Sequence, residues 1–428
     1  MEGGKWGLVI ILAAFMIQVL AFGVTSTVGV YNIDLLDYFD GATVGVSLIG
    51  SINYGVFLGS GPIVSFLMTR FSYRKIALFG SVLVVIGLLG MPILPYIPAM
   101  CVCFGLLTGF GSSCAYIPSH VLSGLYYDKH RSLATGVATS GSGLGGAIMP
   151  IITGVLIEYY TWKGSLIFVA GLCLHLIVFS ALLREPPPLL MKETSITHVV
   201  PLNSKSAYEA VDVSKAKKIP NSSRHIYIFT NYGFDVYFAS NIMWNAGTAI
   251  VNAFVPEFLT EKGLSPMEAA WYAGIYGFGC FVGGVLGGVF GNFRWVNRQV
   301  LYTASNIVMG VSLSAFPYFE QKPLYLVFLI ISGIAFGIIL GLLIVVLTDL
   351  IGVESLGNGL GYLMLSNGLG TFIGPPVAGL IKEATGSFKE AIVLSGVLCV
   401  FGGLIMILMP CRWNCCSQKK TEHLVYNN

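Results

Sequence analysis

The chain has 428 residues, of which 55% are hydrophobic and 10% are charged, and its formal net charge at pH 7 is +3. Soluble domains carry about 25% charged residues, so this composition excludes an ordinary soluble fold and indicates a membrane protein. We expect the chain to lie in a lipid bilayer and to bind no nucleic acid.

Long apolar segments recur along the whole sequence. An α-helix needs about 20 apolar residues to cross the hydrocarbon core, whereas a membrane β-barrel would show short alternating segments. We therefore predict an all-α membrane protein, and the first segment is interpreted as a helix because it lacks a small-residue cleavage site. The predicted transmembrane helices are twelve: 6–32, 44–67, 76–95, 99–122, 134–156, 166–183, 227–255, 269–290, 301–316, 324–347, 357–380 and 391–409.

Positive charges are distributed unevenly between the two sides of these spans. Of the 23 Lys and Arg residues, 18 fall on the side of the chain termini and five on the opposite side. Because cytoplasmic loops are enriched in Lys and Arg, both termini are predicted to be cytoplasmic.

A polar interval divides the spans into two groups of six. Residues 185–224 are rich in proline, serine and lysine and are interpreted as a cytoplasmic linker. We predict an N-terminal six-helix bundle (1–184), a C-terminal six-helix bundle (225–410) and a cytoplasmic tail (411–428). The tail contains three cysteines beside the last span: Cys411, Cys415 and Cys416. Their position is compatible both with palmitoylation and with unmodified thiols.

The fifth span of each group carries the same motif. "GLGGAIMPIITGVLIE" begins at Gly143, and "GLGTFIGPPVAGLIKE" begins at Gly368. This internal repeat indicates a parallel duplication of six helices, as in two-bundle secondary transporters. Small residues of this kind let helix backbones approach closely, either as static packing or in a moving element. Pro150 and Pro375 interrupt both copies at the same place, which favours the moving element.

Polar side chains follow one face of the seventh span. Asn241, Asn245, Thr248 and Asn252 are separated by four, three and four residues, so they share a helix face. In the first span, Gln18, Thr25, Gly29 and Asn32 form a similar stripe, with Phe22 and Tyr31 nearby. Either hydrogen bonds between helices or a central cavity would satisfy these groups, and the presence of two matching stripes favours a cavity.

Few ionisable residues fall within the spans. Asp34 and Asp235 are candidates for proton coupling, although a carboxylate at the start of a helix also has a structural explanation. His120 and His175 are interpreted first as packing residues. No constellation of metal ligands, nucleotide-binding residues or catalytic groups is recognisable, so neither a cofactor nor an enzymatic activity is expected.

The loop before the fifth span carries a family resemblance. It matches the pattern Tyr-Phe-x-Lys-Arg-Arg-x-Leu-Ala-x-Gly-x-Ala-x-Ala-Gly, with His130 and Ser140 departing from it. "EGGKWG" from Glu2 is also similar to an acidic-Gly-Gly-Trp-Gly-Trp signature. The matching residues are Tyr126, Lys129, Arg131, Leu133, Ala134, Gly136, Ala138 and Gly141.

The sequence thus resembles the monocarboxylate transporter family of the major facilitator superfamily. The resemblance implies the major facilitator fold, secondary transport of a small organic solute, plasma-membrane residence and a possible single-span glycoprotein as chaperone. It also places Lys129 and Arg131 in a cytoplasmic elbow, where they are expected to fix the gate and the topology. The internal repeat adds four predicted conformational residues: Gly143, Pro150, Gly368 and Pro375.

The departures from the family fall where its charged chemistry would lie. Proton-coupled members carry a lysine in the first helix, an aspartate and an arginine in the eighth and an acidic residue in the tenth. Aligned by eye, these positions hold Ser26, Cys280, Gly284 and Val345 here. The expected cavity is therefore neutral.

A neutral cavity suits an uncharged, zwitterionic or amphipathic solute, because a carboxylate without a cationic partner would be desolvated at a cost of several kcal/mol. A proton-coupled monocarboxylate symporter and a transport-inactive receptor or scaffold remain as alternatives. The predicted substrate-binding residues are Gln18, Phe22, Ser26, Asn32, Asn241, Asn245, Thr248 and Asn252.

Overall fold

A computed structural model describes residues 4–39, 43–185, 230–293 and 295–409. The linker residues 186–224 and the three tail cysteines lie outside these ranges. Within the described ranges the chain is helical and contains no strand.

The described residues form twelve helices, labelled here in chain order. Two of them are interrupted at a single residue, Thr27 or Ser60, and one is partly a π-helix, over Cys101–Thr108. The helices are α1 (Gly4–Ser26, continued by Val28–Tyr38), α2 (Thr43–Gly59, continued by Gly61–Arg70), α3 (Tyr73–Ile93), α4 (Ile97–Met100 through Gly109–Leu125), α5 and α6 (the two arms of Arg131–Leu182), α7 (Tyr232–Glu261), α8 (Pro266–Asn292), α9 (Arg298–Ala315), α10 (Lys322–Ile351), α11 (Leu356–Thr385) and α12 (Lys389–Ile405).

The turn between α5 and α6 is tighter than the sequence suggested. Helix runs through the interval that separated the predicted spans and turns only at Thr161, whose φ of 60° and ψ of 172° are not helical. Positive φ is uncommon for a residue other than glycine. Likewise, α1 does not end near Asn32 but continues to Tyr38.

Not all twelve helices are equally apolar. By length and hydropathy, eight helices of the described chain qualify as membrane spans, or nine when the bent pair of α2 counts as one. The kinked Arg131–Leu182 helix, which forms both α5 and α6, is a single span in that number. Helices α7 and α11 do not qualify.

The two halves repeat the same packing. In the first half, α1 contacts α5 and α6, and α3 contacts α4; in the second half, α7 contacts α11 and α12, and α9 contacts α10. Between the halves, α5 packs against α8 and α11 packs against α2.

We call the side of the bundle that holds the start of α1 and the last turn of α12 the terminal side. The opposite side is the far side. At the terminal side, the Arg184 guanidinium lies 4.2 Å from the centre of the Trp6 ring. The Tyr126 hydroxyl donates a hydrogen bond of 3.1 Å to the Arg184 carbonyl. The first and last helices of the first half are therefore joined at this side.

Candidate functional site

A buried polar pair joins α1 to α5. Gln18 has no exposed surface, and its Oε1 accepts a hydrogen bond of 2.8 Å from Ser142 Oγ. The Gln18 Nε2 group has no partner among the described residues. Because a buried donor without a partner is costly, this amide is a natural contact for a bound solute or water.

An equivalent pair joins α7 to α11. Asn245 Nδ2 donates to Asn367 Oδ1 at 2.8 Å and to the Asn241 carbonyl at 2.9 Å. Asn241 Nδ2 donates to the Tyr237 carbonyl at 2.8 Å, while its Oδ1 has no partner in the described chain. Asn367 was not singled out from the sequence, although it is the counterpart of Ser142 one residue before the repeated Gly-Leu-Gly.

The predicted stripe of α7 holds for three residues of four. Asn241, Asn245 and Thr248 are buried, and Thr248 Oγ1 donates to the Asn245 carbonyl at 3.2 Å. Asn252 is exposed and does not join this buried set.

The predicted residues of α1 are placed less uniformly. Phe22 is half-buried, and Ser26 Oγ donates to the Gly23 carbonyl of its own helix at 2.7 Å. The side chain of Asn32 lies outside what the structure describes. Asp34 is half-buried in the second segment of α1.

Aromatic rings line the interior beside these amides. In the first half, the Phe57 ring lies 6.4 Å from Phe22 and 5.2 Å from Tyr116, and Tyr116 stacks on His120 with ring centres 4.4 Å apart. Both ring nitrogens of His120 are buried without a partner in the described residues. Tyr116 was not predicted from sequence, because a lone tyrosine in a hydrophobic helix has no distinguishing pattern.

The second half repeats this aromatic lining. Tyr276 and Phe336 stack with ring centres 5.9 Å apart, and Phe336 lies 5.8 Å from Trp244. The indole of Trp244 donates to the Tyr302 hydroxyl at 2.8 Å. The Tyr276 hydroxyl is buried and has no partner in the described chain. Cys280 lies one turn beyond Tyr276 on α8 and is also buried.

The four positions expected to carry charge in proton-coupled relatives contribute none. Ser26 bonds its own helix, Cys280 is a buried free thiol, and Val345 is buried. At Gly284, a Cβ atom would lie 2.9 Å from Ser140 Cα of α5, so the packing leaves no room for a side chain there.

The buried interior is neutral throughout the described chain. Among the residues whose burial is described, the buried polar side chains are Ser, Thr, Asn, Gln and one imidazole, with no Lys, Arg, Asp or Glu. Asp235 is exposed in the first turn of α7, and His175 is also exposed. Neither therefore reaches the buried polar set. In the same residues, no group of three or more His, Cys, Asp and Glu side chains is arranged to hold a metal ion.

Glycines bring the two halves into backbone contact along two seams. Between α5 and α8, a Cβ at Gly136 would meet Gly288, and a Cβ at Gly143 would meet the backbone of Phe281. The other face of α5 packs its Gly145 on the Val19 carbonyl of α1. Helix α5 therefore has two close-packed faces, one for each half of the molecule.

The second seam, between α2 and α11, has the same construction. A Cβ at Gly368 would meet Gly59, and Ser65 Oγ donates to the Gly357 carbonyl at 3.1 Å and to Asn358 Oδ1 at 3.0 Å. Both α5 and α11 continue as helices through Pro150 and Pro375. Neighbouring groups in a membrane bundle can satisfy the backbone atoms that a proline leaves free. The bend in a moving element stays a prediction.

Arg131 fastens the turn between α4 and α5. Its Nε donates to the carbonyls of Gly124 at 2.9 Å and Tyr127 at 3.1 Å, and its Nη2 lies 3.1 Å from Asp128 Oδ1. Lys129 beside it is exposed. The second half contains a similar arrangement, in which Arg298 Nε donates to the Gly291 carbonyl at 2.9 Å and Nη1 pairs with Asp349 at 3.0 Å.

Two cavities lie away from the buried amides. One of about 410 Å³ lies between α9 and α12. Another of about 240 Å³ lies between α2 and α11 and is lined in part by Gly55, Gly59 and Gly368. Of the residues predicted from sequence, only Gly368 lines either cavity.

Two six-helix halves, closed on each other through glycine seams around a polar interior, define a membrane transporter. A family model described as Major Facilitator Superfamily matches residues 11–244 and 236–412. The chain belongs to that superfamily, and its twelve-helix architecture is the major facilitator fold.

Similar proteins place the chain more narrowly. It is 26% identical to monocarboxylate transporter 9 of Pongo abelii, over 97% of this chain and 95% of that protein. It is also 26% identical to monocarboxylate transporter 13 of Rattus norvegicus, over 97% of this chain and 91% of that protein. The chain is thus a divergent relative of the monocarboxylate transporters, as the sequence motifs predicted.

Solved structures agree on the fold. The proton:xylose symporter XylE matches with a TM-score of 0.77 and 14% identity, over 95% of this chain and 97% of that one. The Escherichia coli fucose:proton symporter FucP matches with a TM-score of 0.68 and 14% identity, over 96% of this chain and 100% of that one.

Proposed function

We propose that this protein is a secondary transporter for a small neutral, zwitterionic or amphipathic organic solute, moved by alternating access. The observation that carries the proposal is the neutral interior: the described buried residues include amides, hydroxyls and aromatic rings but no Lys, Arg, Asp or Glu. Amides both donate and accept hydrogen bonds, so they suit polar groups without net charge.

The buried amides and aromatic rings are the proposed substrate contacts. Gln18 Nε2, Asn241 Oδ1 and the Tyr276 hydroxyl are buried without partners in the described chain. A solute with hydrogen-bond donors and acceptors would satisfy them. Gly284 supports the same proposal, because α5 occupies the space that a cationic side chain at this position would need.

The glycine seams support alternating access. Two bundles, proposed to be residues 1–184 and 225–410, meet along α5–α8 and α2–α11 through backbone contacts. Small residues let such surfaces separate and rejoin without interlocking side chains. Arg131 and Arg298 fasten the terminal-side turns of the respective halves and are the proposed gate residues.

The proposal is tested by uptake into proteoliposomes. The panel comprises lactate, creatine, carnitine, aromatic amino acids and neutral polyols, each with and without an inward proton gradient. The proposal is supported if a neutral or zwitterionic solute shows saturable uptake and if Asn245→Leu abolishes this uptake. Asn306→Leu is the matched control, because Asn306 is also buried and also bonds the carbonyl four residues earlier, but on the peripheral helix α9.

A proton-coupled monocarboxylate symporter is the second candidate. It is favoured by the names of the relatives and by His120, the only buried imidazole in the described chain. Lactate uptake driven by a proton gradient, and lost in His120→Gln, would replace the neutral-solute proposal with this one. If no member of the panel is taken up, the receptor or scaffold function gains support instead.

The setting in the cell is also a proposal. We propose plasma-membrane residence and a single-span glycoprotein chaperone from the family resemblance of the sequence, and cytoplasmic termini from the Lys and Arg distribution. Epitope tags at both termini that are stained only after permeabilisation would support this orientation.

A further inference from the structure

The larger of the two cavities is a groove on the outer surface of the second half. It lies between α9 and α12 and has a volume of about 410 Å³, within the range of roughly 300–1,000 Å³ typical of small-molecule sites. Ser314 also contributes to it. Its principal lining residues are Val311, Ala315, Tyr318, Val397, Val400 and Phe401.

The groove faces the surroundings of the bundle and not its interior. Val311 is 57% exposed and Phe401 is 55% exposed, and exposed apolar side chains on a membrane helix face lipid. Next to the groove the backbones of α9 and α12 are in close contact, since a Cβ at Gly310 would meet the Gly396 carbonyl. The groove is therefore a fixed depression between two helices in close contact.

The ammonium group of Lys389 lies at the far-side end of this groove. Lys389 is the first residue of α12, and its Nζ lies 4.4 Å from the centre of the Tyr318 ring, which lines the groove. Lys389 forms no ion pair with any residue that the structure describes. An unpaired ammonium at the end of a membrane helix, above an apolar groove, is complementary to an anionic head on an apolar chain.

We propose that this groove, together with Lys389 and Tyr318, binds one membrane phospholipid. An acyl chain lies along Val311, Ala315 and Phe401, and the phosphate pairs with the Lys389 ammonium. The groove runs from Val311 to Tyr318, seven residues or roughly 10 Å of helix. A partner helix would need a surface of about 30 Å to match its membrane span, so the groove fits a lipid chain better than a single-span protein.

The test measures lipid binding to the full-length protein in detergent by native mass spectrometry. The probes are dioleoylphosphatidylglycerol and dioleoylglycerol, which share acyl chains but differ in the phosphate. One phospholipid is expected to bind about fivefold or more tightly than the diacylglycerol, as one lysine at a membrane surface allows. Lys389→Gln should abolish this preference, and Ala315→Phe should remove the bound lipid.

Two controls match these variants. Lys163→Gln removes another far-side lysine that lies over aromatic rings, 5.1 Å from Tyr38 and 5.3 Å from Trp162, but that has no part in this groove. Val308→Phe adds the same ring to the exposed face of α9 outside the groove. Both should retain the phospholipid preference. Equal losses in Lys389→Gln and Lys163→Gln would overturn the proposal.

A second measurement does not depend on the stability of any variant. The wild-type protein is reconstituted with a phosphatidylcholine that carries a photoreactive acyl chain, and the cross-linked peptides are identified. Cross-links to 311–318 and 397–401 support the site. Cross-links confined to other surfaces would overturn the proposal. Binding of a sterol probe or of a co-purified single-span protein in the groove would also overturn it.

Discussion

Ser142 and Asn367 occupy equivalent positions of the internal repeat, and each joins the fifth helix of its half to the first helix of that half by a hydrogen bond of 2.8 Å. The partners differ, since Ser142 donates to Gln18 whereas Asn367 accepts from Asn245. The duplication has thus preserved the connection between helices while the side chains that make it have changed.

This relationship predicts measurable coupling between Asn245 and Asn367. Either alanine variant alone leaves a buried amide group without its partner and should destabilise the protein by about 1–3 kcal/mol. The double variant should lose about 0.6 kcal/mol less than the sum, the average coupling of interhelical hydrogen bonds in membranes. Unfolding in mixed micelles measures the cycle, and a coupling of zero would show that the bond contributes nothing.

A large side chain at Gly143 should hold the α5–α8 seam apart. A Cβ there meets the Phe281 backbone, which cannot move aside, and lies 2.8 Å from the Cys280 carbonyl carbon. Gly143→Leu should therefore reduce the transport rate at least tenfold, an order-of-magnitude expectation for a blocked conformational step. It should also speed the labelling of buried Cys280 by a maleimide.

Gly171→Leu is the control for this prediction, since a Cβ at Gly171 meets nothing within 4 Å. It should leave both the transport rate and the labelling rate of Cys280 unchanged. If both leucine variants slow transport equally, the seam has no special part in it.

Removal of the Arg131 side chain should weaken the terminal side. The side chain is 13% exposed and donates to two backbone carbonyls at the turn between α4 and α5. Hydrogen bonds from a charged group are worth about 1.5–3 kcal/mol, so Arg131→Ala should destabilise the protein by an amount in this range. The exposed Lys75→Ala should change stability by less than about 0.5 kcal/mol. Thermal unfolding compares them, and equal midpoints would contradict the assigned role.

Acid should loosen the start of α8 on the far side. The Ser265 backbone N–H and then the Lys322 ammonium lower the pKa of Glu268 from its ordinary value of 4.5. A lowered pKa means that the carboxylate stabilises the folded state fully above pH 4.5 and loses this effect as the pH falls through the lower, folded-state value. Glu268 lies outside the apolar span 271–292 and closes a capping box with Ser265.

Hydrogen exchange across residues 265–269, corrected for the intrinsic pH dependence, should therefore accelerate below about pH 4.5 in the wild type. Glu268→Ala, which removes the acceptor for the Ser265 N–H, should already exchange rapidly at neutral pH and show no further change with acid. An identical pH profile in the two proteins would show that the carboxylate does not hold this turn.

The helical architecture was accessible from sequence because the signal is local. Runs of apolar residues identify spans wherever they occur in the chain, and the repeated Gly-Leu-Gly motif at Gly143 and Gly368 relates the two halves directly. The absence of charge at Cys280 and Gly284 was also predicted from sequence. These positions were aligned with the charged pair of the family, and the alignment needs no knowledge of contacts.

The site itself depended on burial and on contacts between distant segments. The spacing of Asn241, Asn245 and Asn252 suggested one face, but the structure buries the first two and exposes the third. Tyr116 and Tyr276 acquire significance only from ring contacts with other helices, Tyr116 with Phe57 of α2 and Tyr276 with Phe336 of α10. No local pattern encodes such neighbours.

What the sequence by itself determined was the number of helices, their duplication and the loss of family charges, because each follows from residues close together or from a motif match. Only the tertiary structure decided that Gly143 faces the other half while Gly145 faces α1, and that Gly284 has no room for a side chain. Close approach of two backbones is a property of helix pairs, and it is set by how every neighbouring helix packs around them.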